Sequence, residues 1–268
     1  MPTYVPSFNK QFSGTIWKII ADPVKGLLYV ETRDGLQRKV FFHAIDLFAK
    51  KILWEDVSIL DLWWSSLKFA ANGNVLLVKF SDPEMPEQKG MVVVNGISGK
   101  LMWGKEEAQV IDPDLDGIVI SEGNKEGIYL KVNWESGDPM RELSLKELMA
   151  GRNKKGHETL TVLYPFHFEE ENSFFSKIQE YIEIITAQKA VRMIEYLEKG
   201  DKVLISYYIY EEGKLSNYML VADENGNQLL HEKMQGELNG IGMDTFFVLK
   251  DQLIIIKNTN ELQVYVVK

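Results

Sequence analysis

Short apolar runs separated by polar turns recur along the chain. The clearest runs begin at positions 27, 75, 118, 203 and 253, and each follows a turn that contains Gly, Asp or Asn. Successive runs start 43 to 50 residues apart, except for one interval of 85 residues, which is close to two units. Runs of this length are typical of buried β-strands, and a four-stranded unit of about 40–50 residues is the repeat length of a β-propeller blade. The pattern predicts a mainly β fold, a small β-propeller of repeated four-stranded blades.

A second hairpin follows the apolar run in each unit. Asp46 and Trp54 are eight residues apart, Asn95 and Trp103 have the same spacing, and His231 takes the position of the Trp in a weaker copy. A strand, a polar turn and a second strand are the signal of a β-hairpin. We expect the three rings that end these hairpins to pack between blades.

The hairpin formed by Ala44–Asp46 and Ile52–Trp54 resembles the repeat of the PQQ-type propellers, in which a strand, an Asp, a turn with Gly, an apolar pair and a Trp follow one another. The chain as a whole is also similar to an uncharacterised bacterial family of propeller-like proteins with a domain of unknown function. The resemblance implies a type of blade and no particular reaction. It does not imply bound PQQ, because the enzymes that use PQQ are far longer and hold it with many dedicated ligands.

Residues 144–190 interrupt the repeat. Apolar residues at helical spacing predict an amphipathic helix over residues 172–187, and Ser144 with Glu147 predicts the capped start of a second, short helix. We therefore expect one degenerate blade, in which the longer helix stands in for the outer strands. That helix would either pack on the rim or dock a partner.

The two ends of the chain are expected to meet in one blade. The last unit lacks an outer strand, and the segment from Tyr4 to Phe12 is not needed by the first unit. Adding the N-terminal strand to the last blade removes an exposed sheet edge. The prediction is a single propeller domain over residues 1–268, with five or six blades.

Composition and charge limit the classes of partner. The chain carries a net charge of −9 at a pI of about 5.1 and has no cysteine. An acidic surface repels phosphate backbones, which argues against nucleic acid, and the lack of thiols excludes disulfides and thiolate metal sites. No signal peptide or apolar run of membrane-spanning length is recognisable. We expect a soluble, cytoplasmic and monomeric protein without a membrane span.

The sharpest local motif is a run of alternating carboxylates. Asp112, Asp114 and Asp116 precede Gly117, a pattern similar to calcium loops, in which hard oxygen ligands converge and Gly makes the turn. The ninth position of the loop is Ile120, where propeller calcium loops carry an acidic ligand. Two interpretations remain, a polar turn and a calcium site, and no other cofactor is expected.

Three further residues are candidates for ligand binding. Trp63 and Trp64 are adjacent on a predicted inner strand, so one ring would pack in the core and the other could line a central funnel. His167 stands among aromatic and acidic residues, where it could be part of a metal site or of a charged segment before the helix.

Catalytic motifs are not recognisable. The sequence contains no G-x-S-x-G, P-loop or H-E-x-x-H pattern. We therefore predict a non-catalytic binding or scaffolding propeller that recognises a protein, peptide or small ligand through its face or funnel. The alternative is a hydrolase of glycosidase or lactonase type, with Asp61, Asp116 and Asp244 as funnel carboxylates.

Overall fold

A computed structural model of the chain describes residues 4–59, 63–81, 87–122, 128–154 and 162–267. Its contacts divide the chain into two compact units. One unit is Ser13–Leu160, and the other combines Met1–Phe12 with Thr161–Lys268. The first strand of the chain, β1 (Phe8–Gln11), belongs to the second of these units. The expectation that the whole chain forms a single domain stays a prediction.

Three antiparallel sheets of four strands form the unit Ser13–Leu160, each built from consecutive strands. The strands of the first two sheets are β2 (Thr15–Asp22), β3 (Leu27–Asp34), β4 (Lys39–Asp46), β5 (Lys51–Val57), β6 (Ser65–Ala71), β7 (Asn74–Phe80), β8 (Gln88–Asn95) and β9 (Leu101–Lys105). The third sheet contains β10 (Ala108–Pro113), β11 (Ile118–Glu122), β12 (Ile128–Val132) and β13 (Pro139–Ser144). The helix α1 (Leu145–Lys154) follows, and its start is the predicted capping box, in which the Ser144 N–H donates to Glu147 (2.8 Å).

The apolar runs found in the sequence are central strands of their sheets. Successive residues of these strands point to opposite faces and are nevertheless buried, so sequence and burial agree. Trp54 and Trp103 pack between blades as predicted. The Trp54 indole N–H donates to the carbonyl of Gly96 in the next sheet (2.9 Å), and the Trp103 indole N–H donates to the carbonyl of Trp134 (2.9 Å). His231 behaves differently, because its ring stacks on Tyr207 and Tyr218 of its own sheet.

Two antiparallel sheets of five strands form the other unit. Their elements are β1, already given, and β14 (Val162–Leu163), β15 (Phe166–Glu169), α2 (Phe175–Thr186), β16 (Val191–Lys199), β17 (Lys202–Glu211), β18 (Lys214–Asp223), β19 (Gln228–Leu238), β20 (Phe246–Leu249), β21 (Gln252–Lys257) and β22 (Glu261–Val266). One sheet has the order β1-β22-β21-β20-β14, and the other has the order β15-β16-β17-β18-β19.

The predicted helix is present, but it does not replace strands. α2 lies between β15 and β16 in the sequence and buries Phe175 and Ile182. The four consecutive strands β16 to β19 form a complete sheet, and β15 adds a fifth strand beside β16 just before the helix begins. The blade is therefore irregular through an insertion, and the expectation of missing outer strands is wrong.

The predicted use of the N-terminal strand is confirmed. β1 pairs with β22 in antiparallel register, with Phe8 opposite Val264 and Gln11 opposite Glu261. The mainly β fold of propeller-type blades is confirmed as well, with five sheets in the described residues. No helix in that part of the chain is long and apolar enough to cross a membrane.

Candidate functional sites

Antiparallel register places three polar side chains in one row across the blade β15–β19. His167 on β15 lies opposite Glu195 on β16, and Glu195 lies opposite Ser206 on β17. Residues that pair directly across neighbouring strands share a face of the sheet. The row is therefore fixed by backbone pairing, and it puts an imidazole beside a carboxylate.

A loop from the other sheet of the same unit completes this group. Asp244 and Thr245 directly precede β20, and Asp244 has a left-handed backbone (φ 54°), which Asp tolerates better than most residues. His167 Nε2 lies 3.1 Å from Asp244 Oδ1 and 3.3 Å from Glu195 Oε1. The ligand atoms of the three side chains all lie within 4.8 Å of one another. We call His167, Glu195 and Asp244 the imidazole–carboxylate cluster.

Glu195 is the buried member of the cluster, with a solvent-exposed fraction of 0%. The Thr245 backbone N–H lies 3.1 Å from Glu195 Oε2, and the Thr245 hydroxyl donates to the same oxygen. Burial raises the pKa of the Glu195 carboxyl, while the bonds from Thr245 and the nearby imidazole of His167 oppose the shift.

A relay of hydroxyl groups holds Thr245 in place. Its Oγ1 lies 2.7 Å from Ser206 Oγ, which accepts a hydrogen bond from the Asn217 amide (2.9 Å). Because the Thr245 proton is directed to Glu195, Ser206 must donate to Thr245, and Asn217 must donate to Ser206. This order of donors makes Glu195 Oε2 the final acceptor in the series of hydrogen bonds.

The second candidate is an aromatic groove on the opposite face of β15. Phe166 and Phe168 flank His167 in the strand and therefore point away from it. They line a cavity of about 490 Å³, which we call the α2 groove. Its apolar walls are formed by Phe166, Phe168, Phe174, Ile178, Tyr181 and Tyr196.

The rim of the α2 groove is charged. Lys177 lies on the helical side, and Glu198, Asp223 and Glu224 lie on the strand side. Hydrogen bonds from Asn227 lower the pKa of Asp223, so that this carboxylate is ionised at neutral pH. Three acids against one base give the groove a negative edge.

The two tryptophans predicted to bind a ligand have different positions. Trp63 is partly buried against the core of the first two sheets, and its ring lies 5.1 Å from the guanidinium carbon of Arg33. The same guanidinium lies 4.8 Å from the ring of Trp17, so that Arg33 is held between two indoles. Trp64 is 38% exposed. Ligand binding by Trp63 and Trp64 stays a prediction.

The aspartate loop forms the turn between β10 and β11. Asp114 Oδ1 accepts the backbone N–H groups of Asp116 and Gly117, each at 2.9 Å, and lies 3.1 Å from Lys131 Nζ. In the described residues, the imidazole–carboxylate cluster is the only group of three or more such side chains close enough to share a metal ion. The structure therefore does not bring Asp112 together with Asp114 and Asp116, and calcium binding at this loop stays a prediction.

Glu195 and Thr245 are the functional residues that sequence reasoning missed. A signal for Glu195 exists, because it is the one acid between Met193 and Leu197, which are both buried in the same strand. Of the predicted funnel carboxylates, Asp244 joins the cluster and Asp116 stays in its turn, whereas Asp61 lies outside the described residues.

Solved structures similar to this chain are known at low identity. BamB from Moraxella catarrhalis is 11% identical, with 93% of this chain and 82% of that chain covered and a TM-score of 0.33. The β-propeller domain of the Trilobed protease from Pyrococcus furiosus is 12% identical, with 93% and 78% covered and a TM-score of 0.33. The Dos1 propeller is 12% identical, with 98% and 62% covered and a TM-score of 0.32.

A search of the curated proteins gives no match. Among protein families, residues 21–103 match the model described as "Domain of unknown function (DUF4905)". The match covers most of the first two sheets, from the last residues of β2 to Trp103 in β9, including both Trp-ended hairpins. The resemblance to a family with a domain of unknown function is confirmed over these residues.

Proposed function

We propose that this chain is a binding protein, and that the α2 groove receives a short peptide segment in which a large apolar side chain is followed by a basic residue. The observation that carries the proposal is the groove itself. Its apolar walls come mostly from β15 and α2, which interrupt the blade repeat, and its acidic rim comes from the neighbouring strands of the blade. Insertions on a rigid scaffold are where proteins commonly place recognition.

The size of the groove supports a side chain as its occupant. A volume of about 490 Å³ lies in the range of small-ligand sites. Its aromatic surface continues outside the cavity, because Phe166 is 68% exposed and Phe174 is 56% exposed. A peptide can cover this outer surface with its neighbouring residues, whereas a small molecule enclosed by the cavity would leave it in water.

The charge of the rim supports a basic neighbour. Glu198 and Asp223 face Lys177 across the groove, so that the strand side attracts a guanidinium or ammonium group. The chain's net charge of −9 also favours the approach of cationic segments. The aromatic faces next to the rim add a cation–π attraction for the same group.

Nuclear magnetic resonance is the suitable assay, because one buried aromatic side chain contributes only about 1.5–3 kcal/mol and a short peptide will bind weakly. The chain labelled at Phe and Tyr is titrated with the peptide Ac-Gly-Phe-Arg-Gly-NH2 and, in parallel, with the versions that carry Phe-Glu and Ser-Arg. We expect shifts of the groove resonances that saturate several-fold earlier with Phe-Arg than with the other two peptides.

Substitutions at two exposed positions distinguish binding in the groove from nonspecific hydrophobic binding. Phe166→Ala removes one wall of the groove, and Ile184→Ala removes an equally exposed apolar side chain of α2 (77% exposed) that does not line it. The proposal expects weaker binding only for Phe166→Ala. Equal affinities for the three peptides, or equal losses in the two variants, would contradict it.

A further inference from the structure

We propose that the imidazole–carboxylate cluster is a binding site for one divalent transition-metal ion, with His167 Nε2, Glu195 Oε1 and Asp244 Oδ1 as its protein ligands. This inference is independent of the proposed peptide groove, because the cluster lies on the other face of β15. The ligand set of one nitrogen and two oxygens suits ions such as Zn²⁺ or Mn²⁺ better than Ca²⁺ or Mg²⁺, which prefer oxygen alone.

The spacing of the ligand atoms fits such an ion. Metal–ligand bonds of about 2.0–2.2 Å place neighbouring ligand atoms roughly 3.0–3.5 Å apart in octahedral or tetrahedral coordination. His167 Nε2 lies 3.1 Å from Asp244 Oδ1 and 3.3 Å from Glu195 Oε1. Both distances fall inside that interval before any adjustment of the side chains.

The orientation of the imidazole is the second, independent observation. His167 Nε2 is shielded from solvent and makes no hydrogen bond in the described part of the chain, although two carboxylate oxygens lie within 3.3 Å of it. These distances are short enough for hydrogen bonds, so the donor–acceptor angles must be unsuitable. Ligands of a metal direct their lone pairs at a common point and not at one another, which gives short distances without hydrogen-bond angles.

Charge gives a third reason. Two ionised carboxylates carry a charge of about −2, which a divalent ion would balance. The other fully buried glutamate among the described residues, Glu31, has an arginine for this purpose, with Arg33 Nη2 at 2.7 Å. Among the described residues, His167 is the only ion-pair partner of Glu195. A buried carboxylate without a fixed cation is unfavourable, and a bound metal removes that deficit.

The surroundings of Glu195 prepare it to bind through one oxygen. The Thr245 hydroxyl donates to Oε2, and its backbone N–H lies 3.1 Å from Oε2 and 3.3 Å from Oε1. Oε1 is the oxygen that lies beside His167. Ser206 in turn fixes Thr245. Such outer hydrogen bonds orient ligating groups in metal sites. Asp244, whose side chain is 51% exposed, opens the site to solvent and leaves room for water or another ligand.

Isothermal titration of the full chain with Zn²⁺, after treatment with a chelator and buffer exchange, tests the proposal. We expect one equivalent to bind, with an affinity at least tenfold weaker in Asp244→Asn and in His167→Gln. The exposed Asp116 provides a matched control, and Asp116→Asn should bind as the wild type does. Co²⁺ should give visible absorption bands typical of a nitrogen–oxygen site, and these bands should be lost in His167→Gln.

Circular dichroism of each variant verifies that the fold is intact, and Asp244→Asn changes a half-exposed side chain with little change in its shape. Zinc binding that is unchanged in both cluster variants would overturn the proposal. Absence of a stoichiometric heat with the chelator-treated wild type would overturn it as well. Saturation by Ca²⁺ at the same site with greater affinity than by Zn²⁺ would contradict the assignment to a transition metal.

Discussion

Replacing Arg33 by Met tests the idea that a buried carboxylate in this protein needs a fixed cation. Glu31 is fully buried, and its Oε1 accepts the Nε–H of Arg33 at 2.8 Å. The variant leaves this carboxylate with two donors, the Ser66 hydroxyl (2.8 Å) and the Leu67 backbone N–H (2.9 Å). Met keeps most of the stem volume between the two indoles, so the change is mainly one of charge.

The magnitude follows from the environment of the pair. Removing one partner of a buried ion pair typically costs about 3–5 kcal/mol, whereas an exposed pair contributes about 0–1 kcal/mol. The Arg33 side chain is only 12% exposed, which places this pair in the buried class. The charge of Glu31 also acts on Lys18, which offers partial compensation. We therefore expect a loss of about 3 kcal/mol in the free energy of unfolding.

Urea unfolding followed by tryptophan fluorescence is the appropriate assay, because all six tryptophans lie between residues 17 and 134, in the same unit as Arg33. The double variant Glu31→Gln with Arg33→Met removes both charges and should recover at least half of the loss. A loss below about 1 kcal/mol for Arg33→Met, the value of a surface pair, would refute the reasoning. So would a double variant that is no more stable than the single one.

Three further changes test other parts of the structure. Gly96→Ala would make its Cβ overlap with the hydroxyl of the buried Tyr29, so we expect a loss of about 1–3 kcal/mol in urea unfolding, whereas Gly35→Ala, with no atom within 4 Å, should change little. Burial lowers the pKa of His231, so stability should fall as the pH drops from about 6.5 through that lowered value, and a His231→Gln variant with the same pH dependence of melting temperature would contradict this. Asp114→Ala should lose about 1–2 kcal/mol in the free energy of unfolding, because the backbone N–H groups of Asp116 and Gly117 lose the oxygen that accepts from both. Added Ca²⁺ should leave the wild-type melting temperature unchanged if the loop is a turn only.

The local pattern of apolar and polar residues predicted most of the blades. Strands that are buried on both faces consist of apolar runs, and polar turns separate them. The helix over residues 172–187 was predicted for the same reason, since its amphipathic period is local. The extra edge strand β15 was missed because, with only four residues from Phe166 to Glu169, it is too short and too exposed to show a period.

The candidate sites were harder to predict, because they depend on register and on distant segments. His167 was found from its aromatic and acidic neighbours, but its partner Glu195 is 28 positions away and is placed opposite it only by strand pairing. Asp244 was singled out for a different partner set, because sequence gives no measure of which loop end reaches which strand. The α2 groove could not be predicted from the sequence, because it forms only where α2 packs beside the sheet.

The most direct test of peptide recognition is a measurement of nuclear Overhauser effects between Ac-Gly-Phe-Arg-Gly-NH2 and the protein. The proposal predicts contacts from the peptide's Phe ring to Phe168, Tyr181 and Tyr196, with the Arg side chain near the acidic rim. Contacts confined to other surfaces, or a peptide that gives none at a concentration where it saturates the shifts, would contradict the proposed function.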